Sequence, residues 1–525
     1  MGQLDKSKYL IFSLIIGVTL IIYSWCLSYP LSINSLNDYV FNNISILYWF
    51  GLPLTLATML VMAITFKSRH SKWIIIVSFV ITIYSLSYFY YMLPSSDSHY
   101  FRGLTEYFIK TKDLDPTIKG HFYYQWPAFF LLSDIATSIM GIPLTGFEFL
   151  LYTLIGFLFV TALYVYASKA LKNGGFLAVV AFFMAMYYFL NYQCVPFSLA
   201  FALFLLMVML ETKQKSTATT LTTLFLFAGT LFLHAFVPLF FILYLFIRFI
   251  LDRGRFYGHL FTLTLIIYFL IQVTMAQLSF EQNIRSAISL TPEYSKIVET
   301  IIPATYIPID VLAQTFSRIV TILTVAICFI GFVILLIRRK LTNLDKAIFL
   351  TGFIYSAAGT ILFILGSRAI PLTFIPVSLG ASYFLQGKFR KPLMFLFLIL
   401  IILFTFIPLH SSFYDSQIIF QTEEAYKMES FMIDRYNWTR SDVILAHVRV
   451  ITYLRAKHPS NVDFENDVSD PLFPRIKEYD SIVYTVGLGK NLLKHNYTSE
   501  RILREEKLNM IYNNGLSYIA VKARS

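Results

Sequence analysis

Charge is scarce in this chain. Asp, Glu, Lys and Arg make up 14% of its 525 residues, against roughly 25% in soluble domains, which excludes a water-surrounded fold for most of its length. Cysteine is scarcer still. Cys26, Cys194 and Cys328 all lie in or beside apolar runs without metal-ligand spacing, which excludes a Cys/His zinc site and marks them as lipid- or core-facing. A phosphate-cradling Gly-rich loop of the Walker type and a nucleophile elbow are also missing. ATP-driven transport and metallohydrolase chemistry therefore lose their support.

What is abundant is hydrocarbon. Hydrophobic residues reach 57% and aromatic ones 18%, with a mean hydropathy of +0.66, and apolar runs of about 18 or more residues recur. These features predict a polytopic membrane protein. The net charge of +12 needs no nucleic-acid partner, because much of it sits in short loops between apolar runs, as the positive-inside bias requires. The first run, Tyr9 to Ser28, follows Lys6 and Lys8 and lacks a clear small-residue cleavage site, so it is read as a retained helix.

Charge fixes the sides of the expected topology. Spans are expected at Tyr9 to Ser28, Ile46 to Phe66 and Trp73 to Leu93, with Lys67, Arg69, His70 and Lys72 marking the cytoplasm between the second and third. Trp126 to Gly141 is short and carries Asp134 in mid-run, so it is laid in the outer interface as an amphipathic or re-entrant helix. Further spans follow at Phe147 to Ser168, Phe176 to Leu190 and Val195 to Leu210. The stretch Thr217 to Ile247 would be about 46 Å long as one helix, and it is basic at both ends. It is therefore divided into two short spans that turn outside near His234 to Pro238. Spans at His259 to Gln277, Val311 to Ile337, Ala347 to Leu365, Ile370 to Leu385 and Leu393 to Leu409 bring the expected total to about thirteen. The N-terminus is inside and the C-terminus outside.

Residues 1–410 thus form the expected all-α transmembrane domain, with an external loop at 94–145, and 411–525 an extracytoplasmic soluble domain. In the latter, strand-like segments such as Asp442 to Ala446, Ser481 to Val486 and Leu516 to Val521 alternate with helical ones such as Ser499 to Asn509, predicting a small α/β domain. The sequons at Asn43, Asn437 and Asn496 all fall on the external side of this topology.

Polar chemistry gathers on that same face. Leu93-Pro94-Ser95-Ser96-Asp97-Ser98-His99-Tyr100-Phe101-Arg102 brings an acidic residue outward just after a span. The loop ends in Tyr123-Tyr124-Gln125-Trp126-Pro127, followed by a helix and Gly141, and an external Arg368 comes late in the chain. From about Trp73 to the end, this order of features resembles the GT-C superfamily of integral membrane glycosyltransferases. That superfamily includes protein O-mannosyltransferases, aminoarabinose transferases and oligosaccharyltransferase catalytic subunits. Two extra spans before the Asp-bearing loop depart from the simplest layout of that family. Asp97 also stands alone where some members carry a paired acidic motif, which leaves metal dependence open. Asp113-Leu114-Asp115 is the one DxD triplet of the loop.

The resemblance implies an inverting transfer of sugar from a polyprenyl-phosphate donor to a glycan, lipid or protein acceptor at the extracytoplasmic face, with no cofactor required. Such chemistry needs a base on the acceptor hydroxyl and a counter-charge on the departing phosphate. Asp97 is the candidate base, or else a helix N-cap for Ser98 to Lys110. Arg368 is the candidate phosphate ligand, since a planar guanidinium donates two parallel hydrogen bonds, or else an anchor to lipid headgroups. Arg318 is the second candidate. His99, Arg102, Tyr124, Trp126 and His234 complete the substrate-binding set. For the aromatic residues an interfacial belt is the competing reading, and for the histidines an ordinary hydrogen-bonding role. A transporter or flippase for lipid-linked glycans, or a glycan ligase or polymerase, is the alternative function.

Overall fold

The structure is a computed structural model that describes residues 3–28, 44–66, 69–89, 96–117, 121–170, 175–190, 194–211, 216–277, 308–361, 369–384, 396, 399–400, 442–445, 463–465, 481–484, 508–513 and 518–522. Its helices are α1 (Gln3–Ser28), α2 (Ile46–Thr65), α3 (Arg69–Tyr84), α4 (Ser96–Thr111), α5 (Ala128–Asp134), α6 (Leu144–Ala170) and α7 (Gly175–Leu190). They continue with α8 (Pro196–Glu211), α9 (Thr217–Leu233), α10 (Val237–Asp252), α11 (Arg255–Thr274), α12 (Pro308–Ile337), α13 (Asn343–Ile361) and α14 (Ile370–Phe384).

Several long apolar helices make this a multi-pass membrane protein. The expectation of about thirteen spans is corrected. Among the described residues five helices are long and apolar enough to cross a bilayer: Lys8–Ser28, Ile46–Ala63, Leu144–Ala170, Arg255–Thr274 and Ile319–Ile337. Six other apolar helices run 10–17 residues. Local chemistry sets these short lengths. Pro196 opens α8 and Glu211 closes it, and a helix of 16 residues rises only about 24 Å, short of the roughly 30 Å of hydrocarbon. The stretch from Thr217 breaks where the His234 N–H closes α9 on the Thr230 carbonyl, and Pro238 sits in the first turn of α10. The third expected span also ends early, because α3 stops at Tyr84 and tightens into a 3-10 turn at Ser85–Phe89.

Small residues let helices approach to backbone contact. A Cβ on Gly380 would fall on the carbonyl oxygen of Cys328, and one on Gly331 would fall on the carbonyl oxygen of Gly380, so α12 and α14 pack without intervening side chains.

At one end of the bundle the helices are joined by buried polar groups. The Tyr166 hydroxyl near the end of α6 donates to Asp345 Oδ1 at 2.6 Å, and Tyr244 in α10 donates to Glu211 Oε2, the last residue of α8, at 2.5 Å. Arg248 in α10 pairs with Asp252 at 2.9 Å and donates to the Tyr257 hydroxyl of α11 at 2.6 Å. Asn343, the first residue of α13, donates to Asp252 at 2.7 Å. Thr342 and Asp345 close a capping box, in which Thr342 donates its N–H and hydroxyl to Asp345 Oδ2 and accepts from the Asp345 N–H. The basic residues Lys169, Arg253, Arg255, Arg338, Arg339 and Lys340 stand at these same helix ends.

In the C-terminal region the described residues are strands: β1 (Asp442–Leu445), β2 (Asp463–Glu465), β3 (Ser481–Tyr484), β4 (Leu508–Asn513) and β5 (Tyr518–Lys522). Their order is β2-β1-β3-β5-β4. β1 runs parallel to both β2 and β3, while β5 runs antiparallel to β3 and β4. The α/β expectation is corrected accordingly, since no helix occurs among the described residues of 411–525. Leu508 and Asn509, expected in a helix, pair with β5; the pairing is non-local, so local periodicity does not reveal it.

The glycine contacts give a direct test. Gly380→Ala is expected to lower the thermal unfolding midpoint in detergent. Gly229→Ala, whose new Cβ would meet only Leu203 Cδ1 at 3.7 Å, is expected to leave it unchanged or raise it, because Ala favours a helix over Gly by about 0.5–1 kcal/mol.

Candidate functional site

The end of the bundle opposite the polar joints carries the loop between α3 and α6. Its first helix, α4, opens with Ser96, Asp97 and Ser98 and carries Lys110 in its last turn, charges that complement the helix dipole. Ser98, Phe101, Arg102, Thr105 and Phe108 recur at helical spacing and are all buried. That buried stripe docks α4 on the bundle.

Arg102 is the polar centre of the docked face. It is only 4% exposed, and its Nε pairs with Glu106 Oε1 at 3.0 Å while Nη1 pairs with Glu148 Oε2 at 3.3 Å. One turn earlier the Ser98 hydroxyl accepts the Cys194 N–H at 3.1 Å, which ties the start of α4 to the entry of α8.

The second half of the loop folds back over α4. The Tyr124 hydroxyl donates to the Leu104 carbonyl at 2.6 Å, and burial together with the neighbouring Tyr107 holds this phenol far above its ordinary pKa, so it remains a donor. His121 stands edge-on to Tyr107 and Tyr124, with ring centroids 4.4 and 4.9 Å away. Tyr123 packs against Phe101 at 4.7 Å, Tyr100 at 6.1 Å and Trp126 at 5.9 Å. Pro127 then starts α5, which passes into a π turn at Ile135–Ile139 and ends at Gly141, whose φ of +69° suits a residue without a Cβ.

Trp126 carries the loop to the turn between α9 and α10. It is buried against Ala235 and Ala276, with Phe236 beside them. His234 is buried in the same turn; its Nδ1 accepts the Phe236 N–H at 3.2 Å, and its ring meets Phe197 of α8 at 5.3 Å. These contacts form a closed circuit. It runs from Ser98 to Cys194, through α8 to Phe197, across to His234 and Ala235, up to Trp126 and Tyr123, and back to Tyr100 on α4.

The sequence-derived residues divide accordingly. Arg102, Tyr124, Trp126 and His234 are buried together around this circuit. Asp97 and His99 belong to the first turn of α4, and their side chains lie outside the described residues. Arg318 lies within α12, its side chain likewise outside them, and Arg368 falls outside them altogether.

The DxD triplet builds a turn. Asp113 Oδ1 accepts the Asp115 N–H at 3.0 Å, and Asp115 Oδ1 accepts the Thr117 N–H and hydroxyl; those bonds hold the Asp115 carboxyl below its ordinary range. Among the described residues no three His, Cys, Asp or Glu side chains converge as metal ligands. Asp134, the charge in mid-run, is explained by Lys112, whose Nζ lies 2.5 Å from its Oδ1, and by the Ser138 hydroxyl at the same oxygen. Those bonds hold its carboxyl below the ordinary range.

Glu106, Glu148 and Cys194 entered the site without being singled out from sequence. Glu148 had a usable signal, being the only charged residue between Asp134 and Lys169. A carboxylate retained in such a run faces protein rather than lipid. Compared with models of known protein families and with curated proteins, the chain matches none.

Removing Arg102 would leave the buried Glu148 and the half-buried Glu106 without the cation they share. Arg102→Leu is expected to cost about 3–5 kcal/mol, read as a fall in melting temperature in detergent. The triple replacement of Arg102, Glu106 and Glu148 by Leu is expected to recover most of that loss.

Proposed function

We propose that this chain is a membrane glycosyltransferase that moves a sugar from a polyprenyl-phosphate donor to an acceptor hydroxyl, with Asp97 as general base and Arg368 on the donor phosphate. The observation that carries this reading is the closed circuit of buried and half-buried polar and aromatic side chains that holds the helix bearing Asp97. In the proposed step the acceptor hydroxyl gives its proton to Asp97 while its oxygen bonds to the anomeric carbon. The bond from that carbon to the phosphate oxygen breaks, and the phosphate leaves with the electron pair. Arg368, with Arg318 as a second cation, compensates the charge that develops there.

Arg102 is held by Glu106 and Glu148. Its proposed role is therefore to fix the first turn of α4, which carries Asp97 and His99. Tyr124, Trp126 and His234 back the substrate side in this reading, their rings packed beneath the surface that a sugar ring would meet. In this reading the acceptor is a glycan, lipid or protein, and no metal is required. The end rich in Lys and Arg is cytoplasmic by the positive-inside bias, so the site and the C-terminal region are extracytoplasmic.

The test is transfer of labelled sugar from a synthetic polyprenyl-phosphate hexose to native membrane acceptors by the full-length protein. Asp97→Asn keeps the size and removes the base, and it is expected to slow transfer by about 100-fold or more. Full transfer by that variant would sink the assignment.

A further inference from the structure

We infer that Gln272 and the aromatic side chains packed at the neighbouring turns of its helix form a subsite for a neutral, hydroxyl-bearing ligand, the sugar ring of the donor; this rests on the glycosyltransferase reading. The buried face of α11 is a stripe of Tyr257, Leu260, Thr264, Tyr268 and Gln272, continued by Ala276. Two other polar members of the stripe, Tyr257 and Thr264, have partners within the protein. The Tyr257 hydroxyl accepts from Arg248, and the Thr264 hydroxyl donates to the Leu260 carbonyl of its own helix at 2.9 Å. Gln272 differs. It is 3% exposed, and its Nε2 is buried with no hydrogen-bond partner among the described residues.

The surroundings of that amide define what it can take. Ala276, four residues further on and just past the end of α11, packs against Trp126 and Ala235, so Gln272 lies in the last turn of α11 before the floor of the candidate site. One turn in the other direction is Tyr268, close enough to interact with Tyr355, whose ring stacks edge-on against Phe240 at 4.5 Å. A primary amide offers two N–H donors and a carbonyl acceptor but no charge, and Trp126, Tyr268, Tyr355 and Phe240 bring none. Among the described residues, a phosphate there would be buried without a counter-charge. A sugar hydroxyl would satisfy the amide, with apolar C–H faces of the ring against the aromatic walls.

The experiment uses the full chain in lipid nanodiscs, with a polyprenyl-phosphate hexose and bare polyprenyl phosphate as separate probes. Gln272→Leu is expected to weaken binding of the hexose lipid by about 5- to 10-fold, the worth of one neutral hydrogen bond. Binding of the bare lipid is expected to stay unchanged, and Gln272→Met is expected to behave the same way. Without ligand, both variants are expected to melt no lower than the parent, because the amide they remove serves no group of the protein. Equal loss of both lipids, no loss of either, or a lower melting temperature without ligand would overturn the subsite. A parent protein that binds neither lipid would overturn the glycosyltransferase reading together with it. Binding of both by the parent with Gln272→Leu unaffected would overturn the subsite alone.

Discussion

Helices pinned together at one end carry fixed side chains to the other, and this constraint organises the molecule. Tyr166, Glu211, Tyr244, Arg248, Asp252, Tyr257, Asn343 and Asp345 pin α6, α8, α10, α11 and α13 through hydrogen bonds and an ion pair. From that common level Glu148 stands 18 residues along α6 from Tyr166, and Cys194 stands 17 residues from Glu211 at the entry to α8. At 1.5 Å per residue each lies about 26 Å from the pins. Glu148 and Cys194 therefore reach the same level at the opposite end, and α4 lies across both. The turn at His234 comes 10 residues from Tyr244, nearer the pins, and Trp126 packs against it at Ala235.

That meeting accounts for the mixture of polar and aromatic groups around Arg102. A loop lying on a flat membrane face could satisfy its charges with water, whereas a loop packed onto helix ends must satisfy them with protein. Arg102 meets Glu148 of α6 and Glu106 of its own helix, Ser98 meets Cys194 at the entry to α8, and Tyr124 bonds back to the loop's own backbone. Each part of the loop is thereby fixed to a different element, and the start of α4 inherits its position from all of them.

How legible this was in the sequence depended on which property was asked of each residue. Hydropathy correctly marked the chain as a membrane protein, and charge at both ends of Thr217 to Ile247 pointed to a break that falls at His234. Hydropathy could not say whether an apolar helix faces lipid or protein. Residues 175–186 are buried on every side, the pattern of a core helix, yet by composition alone they match a lipid-facing one. That ambiguity inflated the expected number of spans. In the site, aromatic and basic residues were visible as types, but Glu148 and Cys194 join Arg102 and Ser98 only through contacts between residues 46 and 96 positions apart. No local pattern carries such information. The DxD triplet shows the reverse, since a motif suggestive of metal binding is accounted for by bonds to its own turn.

The burial of residues 175–186 also decides which helices sense the bilayer. A helix surrounded by protein has no hydrophobic length to match to lipid, whereas α1, α11 and α12 present apolar side chains such as Phe12, Leu270 and Ile330 outward. Hydrophobic mismatch therefore acts on the periphery of the molecule. A thinner or thicker membrane changes the tilt of those outer helices and leaves the core helix behind them at its own depth.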